Sequence, residues 1–317
     1  MATKDDQSFL SVVHATDDFP YDPAAHHEYY ALYLPQDDQP HGYLLPEVVA
    51  KMPWTSSFHI QHDHPRRVTV LDSSNGRRTA EAINSALQEV ITSAIEQKRF
   101  HVFNGQHSEP FAIAGARYDG PVQLERFATS LFGITTRGAH MIAYTHSSEE
   151  GMKLWISRRS PHLYICPGML DSTVAGGVKS GVSPLDTLIE EADEEASLPE
   201  DLVRRLAKCR GVVSHMSVTG SLFPGEKGLV CPDYVYVYDM ELPADVIPRP
   251  HDDEVSEFSL MGVEEVRDAL LKGEFKPDSG AVVVEFLVRH GVITPENEPN
   301  FVEINMRLHR RLPFRTG

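Results

Sequence analysis

Five carboxylates occupy six consecutive positions of this 317-residue chain: Glu190, Glu191, Asp193, Glu194 and Glu195. No Lys or Arg lies between Ser180 and Val203. Glu191, Glu194 and Glu195 are spaced i, i+3, i+4, so on a helix their carboxylates meet over one patch. Like charges at that spacing destabilise a helix by a few tenths of a kcal/mol per pair. A hard divalent cation reverses the sign. Mg²⁺ suits the pattern, because it takes carboxylate oxygens and keeps waters and substrate phosphates, and Mn²⁺ is the alternative. The bland reading is a solvated face on an acidic protein. The glycine-rich stretch directly before the acids argues for a ligand, since Gly176 and Gly177 let backbone approach one closely.

The element that must position these acids is a helix over 183–196. Ser183 suits its N-cap, Pro184 its first turn, and Asp186 stands three residues after the cap. Leu185, Leu188, Ile189, Ala192 and Ala196 fall on one arc, which must face a core, and the acids fall on another. Around this helix the patterning predicts strands at 139–144, 152–156, 211–218, 234–240 and 254–260 and helices at 263–271 and 281–290. The last is so apolar that its type stays open between buried helix and strand.

Upstream, residues 1–78 show weak periodicity, with a short strand at 67–71. A helix spans 79–99, a loop 104–110, and a second amphipathic helix 122–132 stops at Gly133. The texture changes near Ile134. The expected division is an α+β region at 1–133, a main domain at 134–295 and a tail at 296–317. No linker-like stretch separates the first two, so region 1–133 is expected to pack on the main domain and wall the site away from the acids.

Other chemistry-bearing residues are more equivocal. Arg158 and Arg159 are adjacent on a predicted strand and point to opposite faces, so one of them reaches an anionic ligand. Glu254 opens a strand and is a candidate general base alongside the helix carboxylates. Trp155, Tyr236 and Tyr238 offer stacking surfaces, with core packing the expected role for at least two. His59, His62 and His64 form a polar turn rather than a metal site. Arg307, Arg310, Arg311 and Arg315 form a basic tail at the surface.

The net charge of −17 and a pI near 5.3 argue against nucleic acid or an anionic membrane as partner. No apolar run approaches a membrane span. Three scattered cysteines, Cys166, Cys209 and Cys231, resemble neither a disulfide framework nor a zinc site. The N-terminus lacks the apolar stretch of a signal peptide, so a cytoplasmic location is expected.

The box G-x5-E-x7-R-E-U-x-E-E-x-G-U of the Nudix hydrolases is similar to residues 176–198. Its first Gly falls on Gly176 and its acidic core on Glu190, Glu191, Ala192, Asp193, Glu194 and Glu195. The resemblance implies metal ligation by Glu191, Glu194 and Glu195. Three positions depart: Val182 for the loop Glu, Glu190 for the Arg and Ser197 for the last Gly. Glu190 adds a carboxylate where the family has a cation, so Glu190→Arg is expected to relieve repulsion. Further stretches, among them 154–160, 164–171, 236–239, 252–255 and 273–277, resemble the fungal and plant subgroup related to thiamin pyrophosphokinase.

The resemblance implies an α/β/α sandwich around a mixed sheet. It also implies Mg²⁺-dependent hydrolysis of a small-molecule diphosphate, thiamin diphosphate or its oxidised forms, to the monophosphate. Arg158, Arg159, Trp155, Gly176 and Gly177 would hold the substrate, and Glu191, Glu194, Glu195 and Glu254 would do the chemistry. A nucleoside diphosphate derivative as substrate and a binding module without catalysis are the alternatives. Oligomeric state is not legible.

Overall fold

The computed structural model describes residues 8–103, 109–149 and 151–316. Most of the loop expected at 104–110 therefore lies outside the described residues. After a short helix α1 (Leu10–His14) come β1 (Tyr30–Tyr33), β2 (Gly42–Leu44), α2 (Pro46–Lys51), β3 (Phe58–Gln61) and β4 (Arg67–Val70). The strands form one sheet in the order β2-β1-β4-β3, with β1 and β4 parallel. Next comes α3 (Thr79–Glu96), whose Ile83, Leu87, Val90, Ile91 and Ala94 are buried as their helical spacing demands.

The helix expected over 122–132 is instead three short pieces. β5 (Pro110–Ala112) pairs antiparallel with β6 (Gln123–Glu125), setting Phe111 opposite Leu124. A 3₁₀ turn, Arg126–Ala128, then leads into α4 (Thr129–Phe132). Glu125 is extended, at φ −61° and ψ 134°, which interrupts any helix there. The apolar residues are buried through a hairpin and a turn rather than one helical face. Gly133 ends α4 in the left-handed conformation, as read.

The second half contains β7 (Thr136–Ser147), β8 (Gly151–Arg159), β9 (Leu170–Asp171), β10 (Val174–Gly177), α5 (Pro184–Ala196) and α6 (Glu200–Leu206). β11 (Lys208–Val218), β12 (Val230–Glu241), β13 (Val255–Gly262), α7 (Val263–Leu271), α8 (Pro277–Arg289) and α9 (Phe301–Leu308) complete it. Seven strands make a mixed sheet in the order β11-β12-β7-β8-β13, with β10 on β7 and β9 on β8. Only β12 and β7 run parallel within it.

Each face of this sheet is covered, giving the expected α/β/α sandwich. On one side Ala139, Met141, Ala143, Tyr238 and Met240 pack on Leu188, Ile189 and Ala192 of α5 and Leu202 and Val203 of α6. On the other, Ile142, Leu154, Ile156, Val235 and Val237 pack on α7 and α8. The apolar run at 281–288 is therefore helix, buried against strands on one side and α1 and α9 on the others.

Residues 296–317, expected as a tail, contribute α9, whose Ile304 and Leu308 are buried. Arg310 corrects the expectation of a surface basic cluster: it is 6 % exposed, and its Nη1 donates to Asp17 Oδ1 at 2.9 Å and to the Phe19 carbonyl at 2.7 Å. This buried pair ties the C-terminal segment to residues near the start of the chain.

Candidate active site

α5 starts as the sequence dictates. The Ser183 hydroxyl accepts from Asp186 N at 3.1 Å, and Pro184 sits in the first turn. Its acidic side does not simply face water. Glu195 is 7 % exposed and accepts a hydrogen bond from Ala175 N on β10 at 3.2 Å. Glu191 is half-buried under the same strand. The cause is Gly176: a Cβ there would stand 2.3 Å from Glu191 Oε1 and 2.4 Å from its Cγ. The glycine lets the helix press its acids against the strand.

Burial has an electrostatic cost. Desolvation, then the nearby Glu194 carboxylate, push the Glu191 carboxyl up to about 8, against the opposing pull of the Arg126 guanidinium. Burial followed by the Glu191 charge raises Glu195 well above the usual carboxylate range, while the Ala175 N–H works the other way. Glu194 is also raised, by burial and then by Glu190. Glu254 lies within electrostatic reach of both Glu191 and Glu195. Among the described residues, none of Glu191, Glu194, Glu195 and Glu254 forms an ion pair. The side chains do not close around a common point in a metal-ligand arrangement. Their chemistry nevertheless fits a hard cation: oxygen donors, two of them shielded from water, with no ion-pair partner among the described residues.

Glu254 is delivered by a strap. The last turn of a helix leaves carbonyls without intrahelical partners. Here Asp252 N donates to the Glu194 carbonyl at 2.9 Å and Arg249 N to the Ala196 carbonyl at 3.0 Å. The His251 ring lies 2.8 Å from the Asp193 carbonyl. Strand β13 then begins at Val255, one residue after Glu254. Ser197, where the box has Gly, takes the left-handed conformation at φ 53° and donates its hydroxyl to the Arg249 carbonyl at 3.0 Å. The hydroxyl thus answers part of the cost of a side chain there.

Glu190 is not a surplus charge. Lys179, in the loop before α5, reaches back to it at 3.0 Å and lies 3.6 Å from Glu109. The cation missing from the helix is supplied by the loop, just outside the stretch whose lack of Lys and Arg was noted. Val182 lies in the same loop, its N–H donating to the Lys179 carbonyl at 3.2 Å.

The two arginines of β8 differ. Arg159 is absorbed into the fold, donating to Asp171 at 3.0 Å and through Nε and Nη2 to the Ile165 carbonyl. Arg158 is 41 % exposed, paired with Glu257 at 2.8 Å and the Gly168 carbonyl at 3.0 Å. Trp155 is 9 % exposed and packs in the core beneath α5 with Tyr238, so neither presents a stacking face, while Tyr236 is half-buried.

Sequence reasoning missed a set of neighbours from the N-terminal region. A Cβ on Gly177 would lie 2.6 Å from Phe111 Cζ and 3.3 Å from Arg126 Cζ. The Arg126 guanidinium sits over the Phe111 ring, 5.4 Å from its centroid, and pairs with Glu109 at 3.1 Å. Ser180 N donates to the Pro110 carbonyl at 2.8 Å. No local signal connects these residues to the acids; only the packing of β5 and the turn after β6 on the glycine loop does so.

Residues 136–283 match the NUDIX domain. The chain is 40 % identical over 200 residues to an uncharacterized protein of Saccharomyces cerevisiae, covering 62 % of this chain and 58 % of that one. It is 36 % identical over 198 residues to Nudix hydrolase 20, chloroplastic, of Arabidopsis thaliana, covering 61 % of this chain and 50 % of the relative. The chain thus spans about half to three fifths of the length of these relatives. Among solved structures, a protein of Deinococcus radiodurans superposes with a TM-score of 0.37 at 20 % identity, over 64 % of this chain and all of that one.

Proposed function

We propose that the NUDIX domain at residues 136–283 makes this chain a divalent-metal-dependent diphosphatase, with thiamin diphosphate or its oxidised derivatives as substrate and the monophosphate as product. The observation that carries the reading is the patch of Glu191, Glu194, Glu195 and Glu254, four acids brought together with no cation partner among the described residues. A fold that only needed stability would match them or replace them. The substrate class rests on the subgroup resemblance of the stretches around 154–171, 236–239 and 252–277.

Glu191, Glu194 and Glu195 would hold Mg²⁺ or Mn²⁺. When bound, such an ion neutralises phosphate charge and acidifies a water. The chain's own residues do the rest. Gly176 lets the strand backbone lie against Glu191, and Gly177 lets Phe111 and Arg126 pack beside it. Glu254, held by the strap, takes the proton as a water oxygen bonds to phosphorus and the bridging P–O bond breaks. The displaced phosphate leaves with the electron pair of that bond. Lys179 and Ser197 offset two of the three departures from the box, which counts against a binding module without catalysis.

The test is phosphate release with Mg²⁺ across a panel of diphosphate metabolites, including thiamin diphosphate, its oxidised forms and nucleoside diphosphate derivatives. Mg²⁺-dependent conversion of a thiamin compound to its monophosphate is expected. Release only from nucleoside compounds moves the substrate and keeps the chemistry. Release from none overturns the reading.

A further inference from the structure

A diphosphate seated on the glycine loop needs cationic donors as well as a metal, because its own charge repels the acid patch. Five cations stand around that loop, and they are not equally available. Arg137 turns its Nη2 to the Lys179 carbonyl at 3.4 Å. Lys179 is engaged with Glu190 and Glu109. Arg159 uses Nε, Nη1 and Nη2 on Asp171 and Ile165. Arg158 is held by Glu257 and Gly168 on the β13 side.

Arg126 differs in three ways. Its only side-chain hydrogen bond among the described residues runs from Nη1 to Glu109 at 3.1 Å, so Nε and Nη2 keep their donors. Its side chain is 39 % exposed. It is placed against the site: the Phe111 ring supports the guanidinium from one side, and its Cζ comes within 3.3 Å of a Cβ position on Gly177. Its charge is felt at Glu191, the acid beneath Gly176. An arginine braced on an aromatic ring loses little freedom on engaging an anion, and two adjacent N–H groups match two oxygens of one phosphate.

We propose that Arg126, carried by the N-terminal region rather than the NUDIX domain, is a substrate-binding residue that grips a phosphate of the diphosphate through its Nε and Nη2 edge. Glu109 holds the guanidinium in place in the free protein and competes with the phosphate for it. The proposal rests on the diphosphatase reading, and it makes the region before the NUDIX domain part of the site.

The test uses the full chain and methylenediphosphonate with Mg²⁺, a diphosphate that cannot be hydrolysed, by titration calorimetry. Arg126→Ala is expected to weaken binding about 30-fold, the scale of a charged hydrogen-bonded contact, and Arg126→Lys to recover part of it. Glu109→Gln is expected to tighten binding about threefold by removing a competing like charge. An Arg126–Glu109 pair that is merely structural predicts the opposite for Glu109→Gln: it would weaken binding alongside Arg126→Ala, with equal falls in melting temperature. That result overturns the proposal, as does unchanged binding in Arg126→Ala or no binding to the unaltered protein. Turnover separates the two readings. If the protein binds the analogue through Arg126 yet cleaves no diphosphate, the hydrolase reading fails alone. If it cleaves a diphosphate with the same KM in Arg126→Ala, the Arg126 assignment fails alone.

Discussion

The two faces of the seven-stranded sheet treat buried acids in opposite ways. Toward α8, Asp239, Asp171 and Asp278 are each matched, while Asp233, raised by burial, keeps one oxygen without a partner. Asp239, whose side chain is 2 % exposed, receives Arg289 Nη2 at 2.9 Å, Arg210 at 3.2 Å and the His290 ring at 3.0 Å. Burial alone would raise it, yet the His290 and Arg289 contacts hold it below the ordinary carboxylate range. Asp171 meets Arg159, and Asp278 meets Lys276 at 2.8 Å. Toward α5, Glu195 is buried and Glu191 half-buried with no such partner among the described residues, and both are raised. Charge that is buried and answered is architecture; several unanswered acids gathered in one place mark where a ligand supplies the rest.

The largest expected effects separate these roles by removing one acid from each face. Glu195→Gln keeps shape and removes charge, so phosphate release should fall on the order of 10²-fold, the scale for losing one group that manages transition-state charge. Its melting temperature should hold or rise. Asp239→Ala should do the reverse. Unfolding free energy falls by about 3 kcal/mol, since Arg289 and Arg210 lose their buried partner, while turnover per folded molecule stays. If Asp239→Ala spares stability and cuts turnover, the contrast between the faces is wrong. Chemical denaturation and phosphate release on the same preparations decide it.

A subtler effect is pH dependence without divalent metal. Glu191 is raised from 4.5 to about 8, so the folded state holds its proton longer than the unfolded chain. Its contribution is complete below about pH 4.5 and is lost as pH rises through about 8. His140, buried on the α8 side, is lowered from 6.5 to about 4, chiefly by desolvation. Its contribution is present above about pH 6.5 and is lost as pH falls through about 4. These two groups therefore act at opposite ends of the scale. Melting curves across pH should show Glu191→Gln flattening the alkaline limb only. Flattening of the acid limb would contradict the assignment.

Glu190 gives the smallest effect and revises an expectation. The repulsion read from the helix favoured Glu190→Arg. With Lys179 at 3.0 Å from Glu190, the same change now sets two cations together. It should cost a few tenths of a kcal/mol, the size of an exposed pair, and Lys179→Glu in the same chain should restore it.

Much of this was legible in the sequence because it is local. The i, i+3, i+4 acids, the Ser183 cap and the apolar arc of α5 all lie within one helix, and periodicity reports helices well. The burial of Glu195 was not, since it depends on β10 crossing over the helix. The helix expected at 122–132 failed for a related reason: Leu124, Phe127 and Leu131 have helical spacing, but the partner of Leu124 is Phe111 on another strand. Arg126 and Glu109 were invisible, because their proximity to the acids comes from packing between distant segments.

The strap from Arg249 to Glu254 has a consequence for how this region tolerates change. Its hold on α5 runs largely through main-chain N–H groups, those of Arg249 and Asp252, which every residue but proline possesses. Side chains along it can drift while Glu254 stays in register. Proline is the exception: at 249 or 252 it deletes the donor itself, and Glu254 loses its anchor to the helix. In a substitution scan scored for activity, positions 249–253 should tolerate most replacements and fail at 249 and 252 with proline, whereas Glu254 itself should tolerate few. Short of Glu254, the record of its importance lies in what is forbidden there more than in what is required.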